Sequence, residues 1–217
     1  MTMCPCAEPS RLAQADEIHR RFLIIADELS PVLAEAIARN GPVTLIPHQE
    51  TPFAERLCRA VAGQQLSVKA AQSIWGRVVT CADAADQSLI DYVESADADE
   101  LRGCGLSGAK VKAVGAIAQA ARSGQLNADT LSRLSHAERS QRLTALWGIG
   151  QWTADMMSIF YFGDPDIWPD GDLAARKTLE QLTSKRRKTI RTAARFRPYR
   201  SYLALHMWRC VDAGPIP

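Results

Sequence analysis

The sequence lacks the long apolar runs that mark membrane-spanning and secreted chains. None of its 217 residues lies in an uninterrupted apolar stretch of about 18 residues, and none has the form of a signal-peptide core. These absences argue against a membrane span and against secretion. The sequence therefore predicts a cytoplasmic protein that has no membrane partner.

Cysteine is present but forms no recognisable framework. The six cysteines are scattered, and no Cys-x2-Cys-x5-Cys cluster occurs near the carboxyl end. This argues against an iron–sulfur centre. Cys4 and Cys6 stand close together, but no second pair lies at zinc spacing, and the four histidines also lack ligand spacing. We predict no metal site and no cofactor.

Stretches of alternating polarity with β-branched residues are nearly absent. Residues 43–46 (VTLI) are the only weak strand candidate. Apolar residues instead recur every three or four positions, as in Val111, Val114, Ile117 and Ala121. The sequence therefore predicts an all-α protein of about ten helices joined by short loops.

Several helix boundaries can be predicted from capping residues. Ser30 and Thr51 each precede a proline, which is the order expected at a helix start. Ser135 and Glu138 have the spacing of a capping box, in which each side chain bonds the other residue's backbone amide. Gly163 is a predicted helix stop, because glycine readily adopts the left-handed conformation that ends a helix.

Positive charge is concentrated in the last 47 residues. That segment carries eleven basic and three acidic residues, a net +8, although the whole chain is only +2. Such a block indicates a polyanionic partner, but a solvated surface would give the same count. Its basic residues include Lys185, Arg186, Arg187 and Lys188, together with Arg195, Arg197 and Arg200.

A Gly148-Ile149-Gly150 turn separates two predicted helices, one beginning at Ser135 and one ending at Gly163. Glycines supply the positive φ values that a sharp turn requires, and Ile149 would pack inward. Without Cβ atoms, the turn leaves amides at the second helix's N-terminus open to an anion such as a phosphate. A plain αα-turn with no ligand is the alternative.

Four blocks of sequence carry a resemblance to a known family. LWGIGQWTA (146–154), followed by PDGDL (169–173), resembles the helix-hairpin-helix and Gly/Pro-Asp (HhH-GPD) motif of base-excision DNA glycosylases. Residues 57–78, 101–114 and 196–210 are similar to blocks of the 3-methyladenine DNA glycosylase II family, in the same order. Taken together the blocks are highly specific, and they cover about residues 53–210.

The resemblance implies an all-α HhH-GPD fold in two subdomains with a cleft between them. We predict an N-terminal helical segment at residues 1–45 and a glycosylase region at 46–217 that packs as one unit. The helix-hairpin-helix element would lie near residues 136–162, with Gly148, Ile149 and Gly150 contacting the DNA backbone.

The family's catalytic aspartate falls on Asp172 of this sequence. Asp170 is the alternative. Some related glycosylases have an Asp-Gly motif, and aligning that motif with Asp170-Gly171 would shift the match and make Asp170 the catalytic residue. A carboxylate here would stabilise positive charge on the sugar and activate water. Either acid could instead simply cap the helix that begins at Leu173.

The resemblance also implies roles around the substrate. Bifunctional relatives carry a lysine nucleophile where this chain has Trp152, and an indole cannot form a Schiff base. Trp152 would instead stack on a cationic base, although an ordinary core aromatic is equally compatible with the sequence. Met156, Trp168 and Leu173 are weaker candidates for the base pocket.

The loop Gly63-Gln-Gln-Leu-Ser67 corresponds to the family's wedge, which fills the gap left by a flipped nucleotide. Gln65 is the nominal wedge and Leu66 the apolar alternative. The competing interpretation is that Ser67 caps a helix and the loop is incidental.

The resemblance thus implies a monomeric, monofunctional hydrolase that removes alkylated purines such as 3-methyladenine from double-stranded DNA and initiates base excision repair. The alternatives are a non-catalytic DNA-binding module and a glycosylase for other damaged bases.

Overall fold

The computed structural model describes residues 7–213, with side chains from residue 11 onward, and that range is all-α as predicted. It contains thirteen α-helices, where the sequence predicts about ten. The helices are α1 (Ala7–Leu29), α2 (Pro31–Asn40), α3 (Phe53–Gly63), α4 (Val68–Ala84), α5 (Leu89–Ser95), α6 (Ala98–Gly103), α7 (Gly108–Arg122), α8 (Ala128–Ser132), α9 (His136–Thr144), α10 (Gln151–Met157), α11 (Leu173–Leu182), α12 (Thr189–Ala193) and α13 (Arg200–Asp212). A π-helical turn (Ser158–Phe162) follows α10 and a 3-10 turn (Ala194–Phe196) follows α12.

The additional helices are short. α5, α6, α8 and α12 have only seven, six, five and five residues. Two turns or fewer contain too few apolar positions to show a helical period, so periodicity alone cannot find them.

The weak strand prediction at residues 43–46 is wrong. Residues 41–49 have no regular secondary structure, and the chain forms no strand within residues 7–213. Val43 and Leu45 are buried whereas Ile46 is half exposed. The apparent alternation therefore reflects an extended segment that packs every second side chain into the core.

The capping predictions succeed at three positions and fail at one. Ser30 caps α2 through the Leu33 amide, and Ser135 and Glu138 form the predicted reciprocal capping box on α9. Gly163, at φ +74°, follows the π-helical turn. Thr51 does not cap α3, because Pro52 is itself the extended residue before the helix, at φ −54° and ψ 145°.

Backbone contacts divide the chain into two compact units. The central unit is His48–Met157; the outer unit contains the described residues up to Pro47 and from Ser158 onward. The N-terminal helices α1 and α2 therefore share a unit with the C-terminal helices. The separation of residues 1–45 from a glycosylase region at 46–217 stays a prediction, although the described units divide the chain at other places.

Each unit has its own hydrophobic core. In the outer unit Phe22 meets Phe196 edge-on, with ring centroids 4.8 Å apart, and both rings are fully buried. In the central unit α3 packs on α7, and Leu57, Val114 and Ile117 are fully buried. These cores fix the helices that carry the predicted functional residues.

Candidate active site and nucleic-acid interface

The hairpin between α9 and α10 depends on one left-handed glycine, not two. Gly148 has φ +84°, and a Cβ built there would lie 2.7 Å from the Cβ of Ala113. Gly150 does not have a positive φ, and a Cβ there would meet nothing within 4 Å. The expectation that both glycines supply positive φ is therefore wrong for Gly150. Ile149 is 5% exposed and packs inward as predicted.

A buried polar network braces the hairpin. Asp155 on α10 is 4% exposed, and its Oδ1 lies 2.9 Å from Nε2 of His136 on α9. The side-chain Nε2 of Gln151 donates to the same oxygen at 2.7 Å and to Ser140 Oγ at 3.2 Å. A buried carboxylate requires such partners. The sequence alone indicates no role for His136, because its contact with Asp155 depends on how the two helices pair.

The loop after α3 also contacts the hairpin. Gln64 Nε2 donates to Thr153 Oγ1 at 3.1 Å and approaches the Gly148 carbonyl at 3.5 Å, the limit of a hydrogen bond. Gln65 is exposed and has a backbone φ of +59°, which residues other than glycine rarely adopt. Leu66 is 40% exposed. The loop therefore presents both predicted wedge residues to solvent.

Ser67 caps α4 by accepting from the Ala70 amide at 3.3 Å, so this predicted structural role is confirmed. The cap does not decide whether Gln65 or Leu66 acts as a wedge, and that role stays a prediction.

Lys110 on α7 holds the start of the wedge loop. Its ammonium donates to the carbonyls of Ala62 and Gln64 at 2.8 and 2.9 Å, and burial lowers its pKa. A cavity of about 200 Å³ lies beside it, lined in part by Trp147 and Gly148. Lys110 therefore satisfies carbonyls that the end of α3 leaves without helical partners.

Replacing Lys110 with methionine is expected to lower the free energy of unfolding by about 2 kcal/mol, because it removes charge-assisted hydrogen bonds to two carbonyls. Urea denaturation would measure this change. Lys112→Met is the matched control, since Lys112 is exposed and lies over the Trp147 ring at 4.5 Å without bonding a carbonyl. Equal losses in both variants would contradict a specific role for Lys110.

Asp172 is the N-cap of α11 in the outer unit. Its Oδ1 accepts from the Ala175 amide at 2.8 Å and from the indole Nε1 of Trp208 at 3.0 Å, and the residue is half-buried. The predicted capping role is confirmed. Two N–H donors fix the orientation of the carboxylate. Trp208 on α13 was not predicted as a functional residue, although it falls within the family-like block at 196–210.

Asp170 occupies a different environment. It is exposed, and its Oδ1 accepts from Trp168 Nε1 at 3.2 Å and from Thr189 Oγ1 at 3.0 Å. Asp170 therefore ties its own loop to the start of α12.

The predicted base-pocket residues fall two in each unit. Trp152 is 40% exposed and Met156 is half-buried in the central unit. Trp168 is 7% exposed and Leu173 is 52% exposed in the outer unit. Their pocket role stays a prediction.

Two of the three arginines Arg195, Arg197 and Arg200 form ion pairs. Arg200 Nε lies 2.7 Å from Asp166 Oδ1, and both side chains are largely buried. Arg195 pairs with Glu28 at 2.5 Å on the surface. Arg197 is exposed and has no ion-pair partner among the side chains described for residues 11–213.

Within residues 7–213 no helix is long and apolar enough to cross a membrane. Among the side chains described for residues 11–213, no three His, Cys, Asp or Glu are grouped to hold a metal ion. Cys4 and Cys6 lie outside the described residues.

Comparison with known proteins finds similarity to 3-methyladenine DNA glycosylases. No family model matches it. DNA-3-methyladenine glycosylase 1 of Schizosaccharomyces pombe is 32% identical over 199 residues, covering 89% of this chain and 85% of that protein. A solved S. pombe 3-methyladenine DNA glycosylase in complex with abasic DNA has a TM-score of 0.74 at 27% identity, covering 89% of this chain and 95% of that one. A DNA-3-methyladenine glycosidase from Bacillus halodurans gives the same TM-score and identity, covering 88% of each chain.

The fold is that of the HhH-GPD DNA glycosylases. Within that class, the chain belongs to the DNA-3-methyladenine glycosylase family.

Proposed function

We propose that this protein is a monofunctional DNA glycosylase that hydrolyses the N-glycosidic bond of alkylated purines in double-stranded DNA. The observation that carries the proposal is the Asp172 carboxylate, which two N–H donors hold at the N-terminus of α11 in a chain of this family. Asp170 is the weaker candidate, because its carboxylate links Trp168 of its own loop to Thr189 at the start of α12.

The carboxylate supplies what the reaction needs. Cleavage of the N-glycosidic bond builds positive charge on the sugar, and a fixed anion stabilises that charge. The same carboxylate can orient or deprotonate the attacking water. Alkylation at a ring nitrogen already makes the base a good leaving group, so little acid catalysis is required.

The central unit would supply the grip on DNA. The open face of Gly150 allows a phosphate to approach the backbone amides of the hairpin, as expected for a helix-hairpin-helix motif. The exposed Gln65 and Leu66 would fill the gap left by the extruded nucleotide. The candidates for contact with the extruded base are Trp152 and Met156 in the central unit and, separately, Trp168 and Leu173 in the outer unit.

Release of 3-methyladenine from a methylated duplex tests this function. We expect turnover, and a panel of methylated, ethenoadenine and hypoxanthine duplexes would define the lesion range. Binding to these duplexes without base release would instead establish the non-catalytic DNA-binding alternative. Release of other damaged bases alone would establish the alternative glycosylase.

Sodium borohydride is expected to trap no covalent protein–DNA adduct during turnover. The position where bifunctional relatives carry a nucleophilic lysine holds Trp152, which has no amine to form a Schiff base. Denaturing electrophoresis of the borohydride-treated reaction, with a bifunctional glycosylase as positive control, would measure this. A trapped adduct would overturn the monofunctional assignment.

We also propose that the enzyme acts as a monomer and that it is a cytoplasmic protein associated with DNA.

A further inference from the structure

The segment that leads from α11 into α12 gathers five cations on the surface of the outer unit. Lys185, Arg186, Arg187 and Lys188 precede α12, and Arg191 lies on it; all five are exposed. The three arginines and Lys188 line a cavity of about 480 Å³ together with Ser184. We refer to the five side chains as the basic cluster.

The side chains that the structure describes do not neutralise the basic cluster. None of its members has an ion-pair partner among the side chains described for residues 11–213. Elsewhere in the outer unit, by contrast, Arg195 and Arg200 pair with carboxylates. Unpaired like charges around one cavity repel each other. Their combined positive potential attracts a polyanion more strongly than one exposed cation does.

The cluster is attached to the loop that carries the proposed catalytic acid. Thr189, which lies between Lys188 and Arg191, is 5% exposed and donates its hydroxyl to Asp170 Oδ1 at 3.0 Å. Asp170 precedes Asp172 by two residues in the same turn, where the Asp172 amide bonds the Pro169 carbonyl at 2.8 Å. The beginning of α12, which the basic cluster flanks in the sequence, is therefore linked by this hydrogen bond to the loop that contains Asp172.

We propose that the basic cluster is a second contact with the DNA backbone, binding phosphates near the nucleotide that the Asp172 loop receives. The inference rests on the proposed function, because that function makes duplex DNA the polyanion. Contacts to phosphates through flexible cations position the DNA without reading its sequence. The central-unit hairpin and the outer unit would then each hold the backbone through their own groups.

The salt dependence of DNA binding tests the cluster. The double variant Arg186→Ala/Arg187→Ala is compared with the wild type and with Arg11→Ala/Arg39→Ala, which removes the same charge from two exposed arginines elsewhere in the outer unit. Affinity for an undamaged duplex is measured across a range of salt concentrations, and excision of 3-methyladenine is measured separately.

We expect the cluster variant to reduce the slope of log affinity against log salt by about 0.9 for each phosphate that it no longer binds, whereas the control keeps the wild-type slope. An unchanged slope, or an equal reduction in the control, would overturn the inference. A competition experiment compares inorganic phosphate with sulfate at equal ionic strength. If phosphate displaces the duplex better than sulfate does, and only when the cluster is intact, the cavity is a site for a small anion and the inference is also overturned. If the protein shows the expected slopes but releases no base, the proposed function is contradicted, whereas the basic cluster is still supported as a DNA contact.

Discussion

Asp172→Asn is expected to lower the rate of 3-methyladenine release by about a hundredfold or more, because it removes the negative charge that we propose faces the developing positive charge on the sugar. The substitution isolates that charge well. Asparagine keeps an Oδ1 acceptor for the Ala175 amide and the Trp208 indole, and it caps helices as well as aspartate does. Single-turnover excision on a methylated duplex measures the effect.

Asp170→Asn is the matched control for this experiment. It makes the same chemical change two residues away, at a carboxylate that bonds Trp168 and Thr189 instead. The Asp172 variant should keep its thermal midpoint and its affinity for a duplex with an abasic-site analogue. Normal turnover in Asp172→Asn, together with an inactive Asp170→Asn, would transfer the catalytic role to Asp170.

Gly150→Leu is expected to weaken binding to damaged and undamaged duplexes alike, by about tenfold or more. The leucine side chain would block the phosphate from the hairpin amides, and a hydrogen bond to a charged group is worth about 1.5–3 kcal/mol. The fold should survive, because Gly150 does not have a positive φ and a Cβ there meets nothing within 4 Å. Titration of lesion-containing and undamaged duplexes measures the change in affinity.

Gly148→Ala provides the contrasting case in the same turn. Its left-handed φ and the 2.7 Å approach to Ala113 mean that a methyl group there disturbs the fold directly. We expect a lower thermal midpoint for Gly148→Ala and a wild-type midpoint for Gly150→Leu. Weaker binding by Gly150→Leu that is confined to one kind of lesion would argue against backbone amides as the DNA contact.

The sequence predicts the structural features that are determined by residues close together in the chain. The Ser135 and Glu138 capping box, the stop at Gly163 and the inward packing of Ile149 all follow from local backbone chemistry, and each is found. Thr51 fails because a proline permits more than one way to enter a helix. The five-residue helix α8 is too short to show a period.

Contacts between distant parts of the chain account for most of what the sequence does not show. Trp208 reaches Asp172 across 36 positions, and Lys110 reaches the Ala62 carbonyl across 48. No local pattern marks either contact, since an indole or an ammonium on a helix is usually an ordinary core or surface group. The family resemblance predicts Asp172 as the catalytic acid, but only the packing of α13 against α11 shows what holds its carboxylate in place.

The division of the chain into two units has a consequence for biosynthesis. The outer unit draws its core from segments on both sides of the central unit in sequence: Phe22 belongs to α1, and its partner Phe196 is translated only after the whole central unit. During synthesis, α1 and α2 therefore lack the outer-unit residues from Ser158 onward until the whole of His48–Met157 has been translated. The apolar side chains that pack against those residues stay uncovered during that time. A stalled or prematurely terminated chain would leave those first helices as the surface that chaperones and proteases recognise.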